Sequence, residues 1–370
     1  MSQEHNLENL EIEEIIALFH EDKPLSYKIE EIRNQETDSR WMIYVDFPNE
    51  KYVIKLASNS FTTTERVNAW VDLIYKYQEM GYYSPMLQKS KNNHYTEQLM
   101  FHDKNCIVWE EEFAKYHFMK DLDKNIYTGP DNKYVFHDEI LTCIARIGQQ
   151  HFTGFPGKSG WARFESFDPG ESCDEITECV STFDELVRTK APQFLERWSE
   201  IYKLFLQTKA QLKAIYSQLP TSVFQADWGS LNNLLDETGH FKGMIDYNLA
   251  GEDVVLNMFF SQIIFGSNPY YKETTNPEEL PYLNTEARQA VIHNLLESLK
   301  FMRQYYDFTE LEVEAAPMLF KYILGIEYSS IEALENNIND DNKLTKLFDF
   351  MESELRREDI DFRKAMLKNN

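Results

Sequence analysis

Residues 224–248 read "FQADWGSLNNLLDETGHFKGMIDYN". Leu234 and Leu235 are followed by the turn signal Asp236-Glu237-Thr238-Gly239 and then by "FKGMID", the pattern of two short strands joined by a Gly-containing turn. Such a hairpin holds its two ends close together. Asp227 and Asn232 stand just before it and Asp246 just after it, so three oxygen-bearing side chains are expected to converge on one small volume. A carboxylate and an amide there suit a hard divalent cation, and a second carboxylate suits a proton acceptor.

The rest of the chain bounds what such a site can serve. At 370 residues, the length suggests two domains or lobes. Apolar residues at 42% and aromatics at 14% specify a folded globule. The net charge of -25 argues against nucleic acid and against an anionic membrane face as partners. The longest apolar run, "VVLNMFFSQIIFG", is interrupted by Asn257, Ser261 and Gln262 and is too short to cross a bilayer. The acidic N-terminus has no signal-peptide pattern, and Cys106, Cys143, Cys173 and Cys179 form no C-x-x-C pair. The expectation is a cytoplasmic protein with reduced thiols.

Along the chain, residues 6–20 carry an apolar helical stripe that stops before Pro24. "YKIEEI", "RWMIYVDF" and "KYVIKLA" alternate as three antiparallel strands, and residues 62–80 are periodic and helical up to Gly81. "EQLMFHD" and "NCIVWEEEF" read as two more strands. The first unit, residues 1–113, is therefore expected to be a helix-decorated antiparallel sheet, and residues 114–370 a mainly helical unit, giving an α+β class. "HDEILTCIARIGQQHF" and residues 192–219 read as helices, and the tail from 331 as a charged, solvated one.

The ordered set Lys55, Glu65, Asp227, Asn232 and Asp246 resembles the aminoglycoside phosphotransferase and choline kinase families, whose fold is the two-lobed protein-kinase-like fold. "QADWGSLN" matches their H-G-D-x-x-x-x-N loop at Asp227 and Asn232, "MIDYN" matches their metal motif at Asp246, and "AGED" resembles the run that follows it. The resemblance spans roughly residues 27–260. It implies a small-molecule kinase using ATP and Mg²⁺ on a small acceptor bearing a hydroxyl, which the acidic balance allows to be cationic. It assigns Asp227 as base, Asn232 and Asp246 as metal ligands, Lys55 in "YVIKLA" as phosphate-binding lysine, and Glu65 in "TTTERVNAW" as the partner of that lysine. "IVWEEEFA" falls where the hinge between the lobes carries adenine, near Glu111 to Phe113. Glu252 and Asp253 are candidates for a cationic acceptor, Asp253 alternatively as a loop brace.

Departures from the pattern are specific. Gln225 stands where the family has His, Ala226 where it has Gly, and Asn257 where an Asp is common. No glycine occurs before Gly81, so backbone groups of "NQETDSR" and the hydroxyls of Thr37 and Ser39 are the candidates to cover the phosphates. These departures motivate a second reading, a non-catalytic nucleotide-binding or scaffold protein. "GFPGKSG", residues 154–160, has two residues between its first glycines where a P-loop needs four, and reads as a turn. His151 reads as catalytic or structural. Trp161, Phe164, Phe167 and the Tyr270–Tyr271 pair read as cleft or packing aromatics.

Overall fold

A computed structural model describes residues 2–129, 133–171, 173–229, 231–266 and 285–368. The first helix, α1 (Ser2–Ala17), is followed by strands β1 (Ser26–Asn34), β2 (Ser39–Asp46) and β3 (Lys51–Ser58), then helix α2 (Thr64–Glu79). The strands β4 (Leu87–Gln88), β5 (Glu97–Phe101) and β6 (Lys104–Glu112) complete an antiparallel sheet of order β1-β2-β3-β6-β4, with β5 also on β6.

Strand alternation sorts this sheet into two faces. Trp41, Ile43, Val45, Ile54, Leu56 and Val108 are buried against Ile12, Ile15 and Ile16 of α1. The opposite face carries Arg40, Met42 and Tyr44 of β2, paired with Ala57, Lys55 and Val53 of β3, and these in turn with Ile107, Trp109 and Glu111 of β6. Helix α2 packs over that second face, Trp70 meeting Trp109 edge-on at 5.4 Å. Thr63 caps α2 by accepting the Arg66 N–H, which satisfies one of the first-turn donors.

Strand β7 (His117–Phe118), the single turn α3 (Lys124–Tyr127), α4 (His137–Gln150), α5 (Glu175–Lys190) and α6 (Leu195–Tyr216) lead to β8 (Thr221–Phe224). The hairpin β9 (Asn233–Leu235) and β10 (Phe241–Met244) follows, then β11 (Gly251–Val254), which pairs with β8, and α7 (Val255–Ser261). Helices Thr285–Met302, Glu310–Leu324, Tyr328–Asn336, Asp341–Leu355 and Phe362–Met366 complete the described chain. The charged tail is not simply a solvated face. Leu344, Leu347, Phe348 and Met351 are buried, and the helix that carries them packs against α6. The opposite side of that helix holds the charges, which is the ordinary amphipathic arrangement. Tyr270 and Tyr271 lie outside the described residues.

The connection between α2 and β4 meets the hairpin directly. Tyr83 bonds to both Lys242 and Met244 through the backbone, and a Cβ on Gly243 would lie 1.7 Å from the Tyr83 carbonyl oxygen. Only glycine permits that approach.

Candidate active site

β8 ends at Phe224, and the next residue organises the whole site. Gln225 is fully buried. Its backbone N–H donates to the Tyr77 hydroxyl of α2 at 2.8 Å. Its side-chain Oε1 accepts the Asp227 N–H at 2.8 Å, while Nε2 donates to the carbonyls of Ile245, at 2.7 Å, and Asp246. One amide thus clamps the Asp227 loop to the Asp246 strand end, using acceptor and donor at once. The glutamine at the position of the expected histidine is a working brace. Gln225→Leu leaves an N–H and two carbonyls without this partner, so a loss of several kcal/mol in urea denaturation is expected, at about 1–3 kcal/mol per buried orphan. Gln225→His should retain most of the stability. Equal stability of the leucine variant and the parent would contradict the clamp.

Ala226 and Asp246 both adopt left-handed backbone, with φ of 67° and 62°. For Ala226 this conformation costs about 1–2 kcal/mol, which explains why glycine suits the position. The Ala226 carbonyl accepts Trp161 Nε1–H at 2.7 Å. Asn232 Nδ2 donates to the Asp227 carbonyl at 3.1 Å, and the Asn232 carbonyl accepts the Ile245 N–H at 3.0 Å. The hairpin therefore does hold Asp227, Asn232 and Asp246 together.

The charges couple accordingly. Burial raises the Asp227 carboxyl above the ordinary range and Asp246 raises it further. Hydrogen bonds from Asn232 and the Gly229 N–H, and the charge of Arg40, oppose the rise. Lys55 is enclosed, and although burial disfavours its charge, Glu111 and Asp246 together raise its pKa above the usual lysine value. Lys55, Asp246 and Asp227 thus share one electrostatic field. Among the described residues no three His, Cys, Asp or Glu side chains cluster as a closed metal cage. The donor set suits Mg²⁺ all the same, because that ion takes one or two protein oxygens and fills its shell with phosphate and water. With Nδ2 anchored, Asn232 keeps its amide oxygen for such a role beside Asp246.

Several expected roles change. Lys55 Nζ meets Glu111 Oε2 at 2.8 Å, each side chain only 12% exposed, and Glu111 Oε1 also accepts Trp109 Nε1–H. Glu65 is not the partner of Lys55. It stands exposed in the first turn of α2, because the apolar stripe of Val67, Trp70, Val71 and Ile74 turns toward the sheet and Glu65 away from it. The Glu111 side chain therefore serves the lysine, whereas the expectation for adenine concerns the backbone groups near Glu111 to Phe113. The N–H of Phe113 is spent on the Lys51 carbonyl and that of Glu112 on Met86, so these hinge donors stay in the sheet.

The acidic pair after the metal motif is also occupied. Asp253 is 3% exposed and accepts the Ser159 hydroxyl at 2.6 Å and the Asn257 amide, so it braces the loop. Burial pushes its pKa up to about 6. Between about pH 4 and 6 the folded chain keeps a proton here that the unfolded chain has released, so stability falls as pH rises through that window. Asp253→Asn should flatten this slope in pH-dependent denaturation; an unchanged slope would contradict the assignment. Glu252 is bound by Lys158 at 3.0 Å. Lys158 itself sits in the 154–160 turn, which lies against β11 through the Ser159 N–H and Glu252 carbonyl, and no helix starts there.

The buried Ser39 hydroxyl donates to the Gln35 carbonyl and receives Lys104, which removes it as a phosphate ligand, while Thr37 is exposed. Asn257 accepts Arg163 and donates to the Trp161 carbonyl. His151 caps α4 in left-handed conformation and bonds the Thr221 carbonyl, a structural role. Trp161 stacks on Phe265, Phe164 packs on Tyr216 and Tyr322, and Phe167 lies on Phe61 and Arg66. The sequence reading passed over Arg40 and Arg66. The alternation of buried Trp41, Ile43 and Val45 already places Arg40 on the Lys55 face. Arg66 of α2 crosses to the Ala250 carbonyl at 2.6 Å and ties the helix to the segment between Asp246 and β11.

Amicoumacin kinase, solved with AMP-PNP, Ca²⁺ and its substrate, superposes over 98% of this chain and 99% of its own with a TM-score of 0.53 and 13% identity. The fold is that of the small-molecule kinases. Spectinomycin phosphotransferase, solved with ADP and spectinomycin, covers 97% of this chain and 98% of its own at 11% identity and a TM-score of 0.49. A microcompartment-associated aminopropanol kinase covers 97% and 99% at 11% identity and a TM-score of 0.45. No family model matches the sequence, and no curated protein matches it. Among the described residues no helix is long and apolar enough to cross a membrane.

Proposed function

We propose that this protein transfers the γ-phosphoryl group of ATP to a hydroxyl of a small acceptor, in the manner of aminoglycoside and amino-alcohol kinases. The observation that carries this reading is the convergence of Asp227, Asn232, Asp246 and Lys55 on a kinase-like fold, with Gln225 bridging the two arms that hold the acids. Asp227 accepts the hydroxyl proton at its carboxylate as the acceptor oxygen forms its bond to phosphorus and the bond to the ADP leaving oxygen breaks. Asn232 and Asp246 would hold Mg²⁺, which neutralises phosphate charge when bound. Lys55, steadied by Glu111, orients the non-transferred phosphates. The net charge of -25 and the two acids of the site favour an amine-bearing alcohol as acceptor.

The reading of a non-catalytic nucleotide-binding or scaffold protein is motivated by Gln225 and by the absence of glycine before Gly81. The Gln225 side chain braces the loop despite the substitution, which supports the catalytic reading. Incubation of the protein with ATP and Mg²⁺ and a panel of aminoglycosides, amino alcohols and hydroxy amino acids tests the proposal. A phosphorylated product that disappears with EDTA and with Asp246→Asn is expected. Nucleotide binding unaffected by Mg²⁺ and by Asp246→Asn would overturn the metal assignment.

A further inference from the structure

A phosphate cleft lined by two carboxylates and a lysine already paired to Glu111 is short of positive charge, and the first lobe has no glycine loop to supply backbone N–H groups. Arg40 stands where that charge is needed. Register places Arg40 opposite Ala57, two residues along β3 from Lys55 and on the same face of the sheet. Its guanidinium is gripped on one edge only. Nε donates to Asp38 Oδ1 at 2.9 Å and Nη2 to Asp38 Oδ2 at 2.8 Å. Nη1 donates no hydrogen bond among the described residues.

The grip itself is firmly built. Asp38 is 6% exposed and is held additionally by Arg33 at 2.8 Å and by the Asn59 amide at 3.0 Å. The Phe61 ring lies under the guanidinium, 5.2 Å from its carbon, and packs in turn on Phe167 at 5.1 Å. Arg33 already closes the β1–β2 loop onto Asp38, so closure of that loop does not require a second arginine. The charge of Arg40 also reaches Asp227, whose carboxyl it helps keep ionised.

Resting on the phosphotransfer reading, we propose that Arg40 binds the transferred phosphoryl group through its Nη1–Nη2 edge. It would take over from β2 the task that a glycine-rich loop performs elsewhere. A guanidinium fixed on one edge by a carboxylate is pre-organised for two-point phosphate binding on the other, which a lysine cannot reproduce. The contact is made to the terminal phosphate and strengthens as charge spreads over its oxygens in the transition state.

Calorimetry with Mg²⁺ and either AMP-PNP or ADP separates this role from a structural one. Arg40→Ala is expected to weaken AMP-PNP binding by about 10- to 100-fold, as for a lost charged hydrogen bond, and to leave ADP binding within about twofold. Arg40→Lys, which keeps the charge and the stem, should recover only part of the loss. The parent protein should also form a stable complex with MgADP and aluminium fluoride, and Arg40→Ala should not. Equal loss for both nucleotides, or no loss for either in a folded variant, overturns the proposal and leaves the kinase reading standing. A parent protein that binds neither nucleotide overturns both.

Discussion

Asp227→Asn is expected to lower kcat by about 10²- to 10⁴-fold, the usual worth of a well-placed general base. The affinity for MgATP should stay the same or rise, because the substitution removes a negative charge from a cleft that receives phosphates. The fold should survive. The Asp227 N–H bond to Gln225 and the carbonyl bond from Asn232 use the backbone and do not depend on the carboxylate. The same geometry sets the pH dependence. Burial, the larger cause, holds the Asp227 carboxyl above the ordinary range, and only the ionised form accepts a proton. The acid limb of kcat/KM is therefore expected above the pH of an exposed aspartate, with activity falling as pH drops through it. A rate profile measured at saturating Mg²⁺ checks this. An acid limb at the pH of an exposed aspartate would contradict the burial argument.

The second large effect concerns the lysine. Glu111→Gln keeps an oxygen for Trp109 Nε1–H but removes the charge that balances Lys55. Breaking an enclosed ion pair on one side costs about 3–5 kcal/mol, and the lower end applies here because both side chains retain some exposure. Left with Asp246 as its remaining carboxylate, Lys55 is pulled toward the metal ligand, so MgATP affinity should also fall markedly. Glu65→Ala, at an exposed site away from the sheet, should shift stability by no more than about 0.5 kcal/mol and leave nucleotide binding intact. Urea denaturation and calorimetry on the two variants check the contrast. Equal effects, or a larger one at Glu65, would restore the helix glutamate as the lysine's partner and contradict the pairing across β3 and β6.

Much of this was legible in the chain, and the exceptions have a common cause. The strands 27–32, 40–47 and 51–57 announce themselves by alternation, and the hairpin by Asp236-Glu237-Thr238-Gly239 between apolar pairs. Local pattern is enough for these. The partner of Lys55 depends instead on the register of β3 against β6, two strands separated by α2, β4 and β5. No local signal carries that register. The helical stripe of α2 did carry a warning, since an apolar face at Val67, Trp70 and Ile74 leaves Glu65 pointing outward. Helix α5 went unread although Ile176, Cys179, Val180, Phe183 and Val187 form an apolar stripe, because the surrounding charges mask it. The clamp made by Gln225 was foreseeable only in part. An amide can donate and accept, yet which three backbone groups it joins follows from the folded loop.

The most direct test is to give the parent protein and Asp227→Asn the same ATP, Mg²⁺ and acceptor panel, with products read by mass spectrometry and nucleotide binding by calorimetry. The account predicts an acceptor that gains one phosphoryl group with the parent, little or none with the variant, and MgATP bound by both. An acceptor phosphorylated equally by both proteins, or a parent protein that binds no nucleotide, would contradict it.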